Sequence, residues 1–369
     1  MNILSISTDR KIFKEGSSVR SRMIEYGSLF NELHIIVFSS IFHKLKPQKI
    51  ADNIWVYPTN SLSRWFYIFD ALWVGKKIKN INIVTTQDPF EAGLAGHLIS
   101  KKLNTKLHVQ IHTDFINPFF EKDSYLNRLR VKIADFIIPQ ADGLRVVSER
   151  IKKSLFSKYP DLKTFVDVLP VFTPPIPQDH VLKEGDYLHS KYPQFDFIIL
   201  MASRLEKEKN IELAIQTIKN LPNTTGLVIV GEGGERNKLK RLAKQLGVSK
   251  KVVFEGWSND LSVYYGSADL FLLTSNYEGY GLTLMESALF GCPIVTTNVG
   301  LVGGLINKDN AYVCDVGDGE CLNKSILTAV NNENLRKALA LKAQEEVLKQ
   351  AMTKKEYLRR YLQSYKNCL

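Results

Sequence analysis

Along the chain, short apolar runs alternate with longer stretches of helical periodicity. In the first half, the runs at residues 3–7, 35–39, 54–57, 81–86, 107–111, 144–148 and 165–169 predict strands. Most are rich in Val and Ile and continuous rather than alternating, as in parallel sheets covered on both faces. Helices fit between them, over 19–33, 89–103 and 125–138. Such a series predicts a doubly wound α/β domain. Residues 170–177, Pro-Val-Phe-Thr-Pro-Pro-Ile-Pro, interrupt the series, because four prolines in eight residues suit neither a helix nor a central strand. The rhythm then resumes, with strands predicted at 197–202, 227–230, 252–254, 270–274, 294–297 and 311–314. The expectation is an N-terminal domain over 1–175, a second α/β domain over 176–352, and a tail over 353–369. In that tail Tyr357, Tyr361 and Tyr365 stand four apart, with Leu358 and Leu362 beside them. This is one apolar helical stripe, and it must dock on something.

Length agrees with this division. The chain has 369 residues, and a single core rarely grows past about 250–300. Apolar residues make up 44% and charged residues 24%, which excludes a disordered chain, a collagen and a disulfide scaffold. Cys292, Cys314, Cys321 and Cys368 form no CxxC pair, which fits a reducing compartment better than a zinc knuckle. No apolar run approaches the roughly 18 residues of a membrane span. Residues 1–10 lack a basic leader and a cleavage site, and read as a first buried strand. A cytoplasmic protein is therefore expected.

The net charge of +11 is unevenly spread. Residues 1–175 hold 25 Lys and Arg against 16 Asp and Glu, whereas 176–369 hold 24 against 22. A basic half points to a polyanion, an anionic membrane surface or a phosphorylated substrate.

In open α/β sheets chemistry gathers in the loops that follow the strands. After the strand at 270–274 comes Glu278-Gly279-Tyr280-Gly281-Leu282-Thr283-Leu284-Met285-Glu286, which opens a helix. Its glycines let the backbone pass close to a ligand, and a helix start offers free N–H groups to a phosphate. Glu278 and Glu286 add two carboxylates that accept hydrogen bonds from hydroxyls. Together they suit a ligand with hydroxyls on both sides of a phosphate, as in a nucleotide-sugar. After the strand at 197–202 comes Ser203-Arg204-Leu205-Glu206-Lys207-Glu208-Lys209-Asn210. There Arg204 and Lys209 can neutralise a diphosphate, or pair with Glu206 and Glu208 as a solvated loop. A third loop, Val230-Gly231-Glu232-Gly233-Gly234, has Arg236 where a dinucleotide fingerprint wants its third glycine, so a nicotinamide enzyme is poorly supported.

With these three loops in order, the chain resembles the family-4 retaining glycosyltransferases of the GT-B fold, the glycosyl transferases of group 1. The family's Glu-x7-Glu motif matches Glu278 to Glu286, and its Arg-Leu-x-x-x-Lys-Asn element matches Arg204-Leu205 through Lys209-Asn210. Its Val-Gly-x-Gly turn matches Val230 to Gly233, and its Gly-x-Pro-Val-Val step fits Gly291-Cys292-Pro293-Ile294-Val295. The resemblance implies two Rossmann-like domains facing across a cleft, with the tail crossing back to the first. It implies that Arg204 and Lys209 hold the donor diphosphate, Glu286 binds the ribose and Glu278 contacts the transferred sugar. Gly279, Tyr280, Gly281 and Leu282 would approach sugar and phosphate, with Gly231 and Gly233 in the adjoining turn. In the first domain His112 would lie near the anomeric carbon, and Gly16 and Arg20 would belong to the first loop. Two loops depart from the family pattern. The first reads Glu15-Gly16-Ser17 rather than Gly-Gly, and Gly300-Leu301-Val302-Gly303-Gly304 lacks the family's acid.

No Asp-x-Asp element occurs, so the resemblance implies metal-independent, retaining transfer from a UDP- or GDP-sugar with no cofactor. The acceptor would be a glycan or a lipid-linked molecule, in cell-surface polysaccharide or glycolipid synthesis. An epimerase on the same fold and a catalytically silent nucleotide-sugar-binding scaffold are the alternatives. In the basic half, 64–77 is aromatic and flanked by basic residues, which suits an interfacial membrane helix or a core-packing one. The helix at 125–138 carries Arg128, Arg130 and Lys132 on an acceptor or membrane side, or on a merely solvated face. No nucleic-acid recognition module is present.

Overall fold

The computed structural model describes residues 1–174 and 187–369. The expected domain boundary at 175/176 lies outside the described residues. The chain divides into two units, the first comprising Met1–Pro170 with Lys354–Leu369, the second Val171–Thr353.

The first unit is built on strands β1 (Asn2–Ser7), β2 (Glu32–Val37), β3 (Gln48–Ala51), β4 (Ile54–Pro58), β5 (Ile83–Thr86), β6 (Lys106–Ile111), β7 (Gly143–Val146) and β8 (Phe165–Val168). They form one sheet in the order β3-β4-β2-β1-β5-β6-β7-β8. Every pair is parallel except β3 with β4. The second unit carries β9 (Phe197–Ala202), β10 (Thr225–Val230), β11 (Val252–Phe254), β12 (Leu270–Leu273), β13 (Ile294–Thr297) and β14 (Tyr312–Cys314). Their order is β11-β10-β9-β12-β13-β14, all parallel. The sheet order turns back on itself at β9 and β12, where the two strands lie side by side. This is the switch point at which ligands bind in such sheets.

The continuous apolar runs behave as their composition requires. All residues of β9, β10, β12 and β13 are buried, because helices cover both faces. The helix Ile211–Ile218 shows the complementary pattern, burying Ile211, Ala214, Ile215 and Ile218 in the second unit's core.

Three local expectations change. The helix expected over 19–33 spans only Ser18–Gly27. A Cβ on Gly27 would meet the Ile54 side chain at 2.2 Å, and Asn53 Nδ2 donates to the carbonyls of Gly27 and Phe30. These contacts turn the chain into β2 at Glu32. Strand β3 escapes the pattern because its sequence, Gln-Lys-Ile-Ala, is half polar and lies on the sheet edge. The thiols expected throughout give way to a disulfide between Cys314 and Cys321, while Cys292 and Cys368 are free and buried. The pair staples the end of β14 to the first turn of the helix Gly319–Asn331.

The terminal helix Lys354–Lys366 buries Tyr357, Tyr361 and Tyr365 in the first unit. Arg145, on β7, is 3% exposed. It donates to Gln110 Oε1 at 2.7 Å, to the carbonyls of Leu169 and Pro170 at 3.1 and 3.2 Å, and to the Tyr357 hydroxyl at 3.0 Å. Its guanidinium also stacks 5.1 Å from the Tyr361 ring centre. A buried polar group is tolerable only when partnered, and here the tail supplies part of the partnering.

No helix among the described residues is long and apolar enough to cross a membrane.

Candidate functional site

In the second unit the loops after β9 and β12 meet, because these strands are neighbours. The residues after β9 form a short 3-10 turn, Lys207–Lys209, that ends on Asn210 in the left-handed region (φ 46°). Thr274, just past β12, donates to the carbonyls of Lys209 and Asn210 at 3.0 and 2.9 Å. Asn210 Nδ2 donates to Asn276 Oδ1 at 3.2 Å, and the Asn276 amide donates to the Glu208 carbonyl at 2.8 Å. These bonds bring Lys209 Nζ to 2.5 Å from Glu278 Oε1, with both side chains only 13% exposed. Ser275 donates to the same Glu278 oxygen at 2.8 Å. An ammonium and a carboxylate from separate motifs are thus held together in a largely desolvated spot. Arg204 instead pairs with Glu208 at 2.8 Å and is 64% exposed, so its guanidinium is open to an incoming anion.

The helix Leu282–Leu289 starts from Gly281 at φ +85°, with no side-chain cap on its first amides. Glu286 lies one turn in and accepts from the Tyr265 hydroxyl at 2.9 Å. Burial raises its pKa, partly opposed by that hydrogen bond. Tyr280 is buried, and burial pushes its phenol up to about 12. Leu282 is partly exposed, and Gly279 lies in the turn between the two acids.

The Gly231–Gly233 turn has a packing reason. A Cβ on Gly231 would stand 1.9 Å from the Ser203 carbonyl oxygen, and one on Gly233 would stand 2.4 Å from that of Leu205. The loop after β10 therefore lies directly on the loop that carries Arg204. Only residues without a Cβ allow that approach. Gly300 plays the matching part on the other side: it has φ +57°, and a Cβ there would meet the Tyr280 carbonyl oxygen at 2.5 Å. The loop after β13 lacks the family's acid, yet it buttresses the Glu278–Tyr280 turn. Gly300→Ala should cost about 1–3 kcal/mol in strain and displace that turn. The expected result is a lower melting temperature together with weaker nucleoside-diphosphate binding by calorimetry. Unchanged binding would separate Gly300 from the site.

Tyr265, Ser275 and Glu208 hold the candidate residues, and of these the sequence pointed only to Glu208, as a partner for the basic residues of its loop. Tyr265 carries no local signal, since it meets Glu286 only through the packing of β12 and its neighbours, whereas Ser275 lies three residues before Glu278 in the same loop.

The first unit places other candidates along the carboxyl edge of its own sheet. His112 follows β6. It is open to solvent yet crowded by protein atoms, and that burial, followed by the Arg145 and Arg22 cations, holds its pKa below the usual imidazole range. Gly16 (φ +74°) has open space around it. The neighbouring Ser17 caps the helix Ser18–Gly27 by accepting from the Arg20 amide at 3.2 Å. Arg20 reaches Gln48 at 3.5 Å. Arg128 and Lys132 are exposed, whereas Arg130 donates from Nε to both oxygens of Glu91, at 3.1 and 3.0 Å, and is less available.

Glu286→Gln gives a test with a worked sign. A carboxyl whose folded pKa is raised destabilises the fold while ionised. That cost is absent below its unfolded pKa and reaches its full size as pH rises through the folded one. Gln keeps an acceptor for Tyr265 and never ionises. The variant should therefore match or exceed the native melting temperature at neutral pH, with the difference vanishing on acidification, while nucleotide affinity falls. A native-like affinity would remove Glu286 from the ligand.

Known proteins resemble this chain in sequence and in fold. The family profile of the glycosyl transferases group 1 matches residues 190–346. A lipopolysaccharide core biosynthesis glycosyltransferase, LpsE of Rhizobium meliloti, is 30% identical over 154 residues, covering 42% of this chain and 45% of that protein. The chain thus spans about half the length of that relative. N-acetyl-alpha-D-glucosaminyl L-malate synthase of Bacillus anthracis is 26% identical over 356 residues, covering 92% of this chain and 90% of that one. Among solved structures, Anabaena HepE in complex with UDP superposes with a TM-score of 0.74 at 15% identity, over 99% of this chain and 100% of that one. The fold is GT-B.

Proposed function

We infer, from the match of residues 190–346 to the glycosyl transferases group 1, a retaining, metal-independent transfer of a hexosyl or N-acetylhexosaminyl group from a UDP- or GDP-sugar. The acceptor is a glycan or a lipid-linked molecule of cell-surface polysaccharide or glycolipid synthesis, and the reaction is cytoplasmic. The observation that carries this reading is the Lys209–Glu278 pair at the β9/β12 switch point, with Arg204 exposed beside it and Glu286 one turn into the adjoining helix.

Charge decides the order of events. The donor brings two phosphates to a spot where Lys209 already has a counter-ion. A phosphate oxygen that takes over the Lys209 ammonium releases Glu278, which can then accept hydrogen bonds from sugar hydroxyls. Arg204 gives up a pair that is exposed on its own side, and so worth little, to bind the diphosphate bidentately. As the bond from the anomeric carbon to the diphosphate breaks, the leaving group gains negative charge. Lys209, Arg204 and the uncapped amides of the helix Leu282–Leu289 stabilise it without moving. The leaving phosphate takes the acceptor's proton on the same face, so configuration is kept and no covalent nucleophile is required.

A panel of nucleotide-sugars read by thermal shift identifies the donor, because a ligand that binds only the folded state raises the melting temperature. Product anomeric configuration by NMR then tests retention. Release of an isomerised nucleotide-sugar without acceptor would favour the epimerase reading. Binding without turnover on any acceptor would favour the silent scaffold.

A further inference from the structure

We propose that the outer face of one helical layer of the first unit docks on an anionic lipid bilayer. The helix Tyr67–Gly75 is apolar nearly all round. A helix of that composition is normally buried on every side, and this one is not. One face, with Ala71, Ile68 and Leu72, packs on the core. The opposite face, running on from the preceding turn Arg64–Phe66, presents Trp65, Phe69 and Trp73 at four-residue spacing, 69%, 67% and 56% exposed. Side chains of this size stay in water only at a cost of about 1.5–3 kcal/mol each relative to burial.

Cations bracket these rings. Lys77 Nζ stands 2.9 Å from the Trp73 ring centre, and the Arg64 guanidinium lies 5.6 Å from that of Trp65. The helix Glu91–Leu103 packs between this helix and the helix Tyr125–Ile137. That third helix repeats the arrangement: Tyr125 is 85% exposed, with the Arg128 guanidinium 4.9 Å from its ring centre. Rings with stacked or flanking cations suit the headgroup level of a bilayer, where apolar bodies enter and charged tips remain at the phosphates.

Charge selects the occupant. With the tail docked, the first unit holds 30 Lys and Arg against 17 Asp and Glu, a net of +13, and the second unit is left at −2. A second copy would bring like charge against like charge. An anionic bilayer attracts each basic residue near its surface by about 1 kcal/mol. This surface does not depend on the reaction assigned to the second unit.

The test is co-sedimentation of the full chain with vesicles of phosphatidylcholine alone or mixed equally with phosphatidylglycerol. Native protein should pellet with the mixed vesicles only, lose binding as salt rises, and show a blue shift of Trp emission on binding. Trp65→Ser, Phe69→Ser and Trp73→Ser combined should weaken binding by about tenfold or more with an unchanged melting temperature, because the three side chains are mostly exposed. Lys76→Glu with Lys77→Glu, also on the surface, should weaken binding by a similar factor. The proposal is overturned if native protein stays in the supernatant with mixed vesicles at low salt, or if the aromatic variant pellets as the native does. Light scattering that reports a dimer lost in the aromatic variant would also overturn it, in favour of a second copy.

Discussion

Lys209→Ala should lower the rate of sugar transfer by about 10²–10³-fold, the usual effect of deleting one preorganised donor to a developing negative charge. Two effects add in this variant. The diphosphate loses a cation, and Glu278, 13% exposed, is left with Ser275 as its partner. Arg204→Ala separates them. Its pair with Glu208 is 64% exposed on the arginine side and 16% on the glutamate side, and a pair with one partner in water contributes about 1 kcal/mol or less. Arg204→Ala should therefore lower the melting temperature only slightly while its turnover collapses. Lys209→Ala should show both lost turnover and a modest loss of stability. Single-turnover assays with saturating donor, beside thermal melts, measure the two quantities. Near-native turnover in either variant would dismiss the diphosphate assignment.

Arg145→Leu should destabilise the first unit by about 3 kcal/mol or more, since each buried polar group left without a partner costs about 1–3 kcal/mol. Gln110 Oε1 and the Leu169 and Pro170 carbonyls lose this donor, while the Tyr357 hydroxyl keeps the one from the Tyr26 hydroxyl at 3.4 Å. Removing a buried guanidinium gains back some desolvation energy. That gain is smaller here, because the acceptors belong to β-strand ends and a packed helix that cannot turn toward water. The damage should concentrate on the terminal helix. Hydrogen exchange of the 354–366 amides should accelerate far more than that of β9 or β12. Uniform exchange across both units would show that Arg145 does not hold the tail. Tyr357→Phe, which removes one acceptor and keeps the ring, should give a smaller change at the same amides.

The α/β class was legible because burial on both sheet faces forces continuous Val/Ile-rich runs. Predicted strands at 197–202, 252–254 and 294–297 coincide with β9, β11 and β13. Where the environment is one-sided, the signal fails: β3, on an edge, reads as polar loop, and the helix after Ser17 ends early because of a contact with Ile54 and Asn53. The site was legible as three loops, since glycine, Lys and Glu at strand ends are local facts. Their partners were not. That Lys209 meets Glu278 across 69 residues follows from β9 and β12 being neighbours, and strand order is not written in any one strand. For the segment at 64–77, sequence left a buried helix and an interfacial one as alternatives.

By itself, then, the sequence determined the alternation of strands and helices, the loops that carry chemistry, and the basic character of the first half. Each of these depends on residues within one or two turns of each other. Tertiary structure decided which side chains pair, which face of the 67–75 helix meets water, and that the tail's charge joins the first unit to make it +13. Those outcomes depend on contacts between segments tens to hundreds of residues apart, and only the packed sheet order brings such segments together.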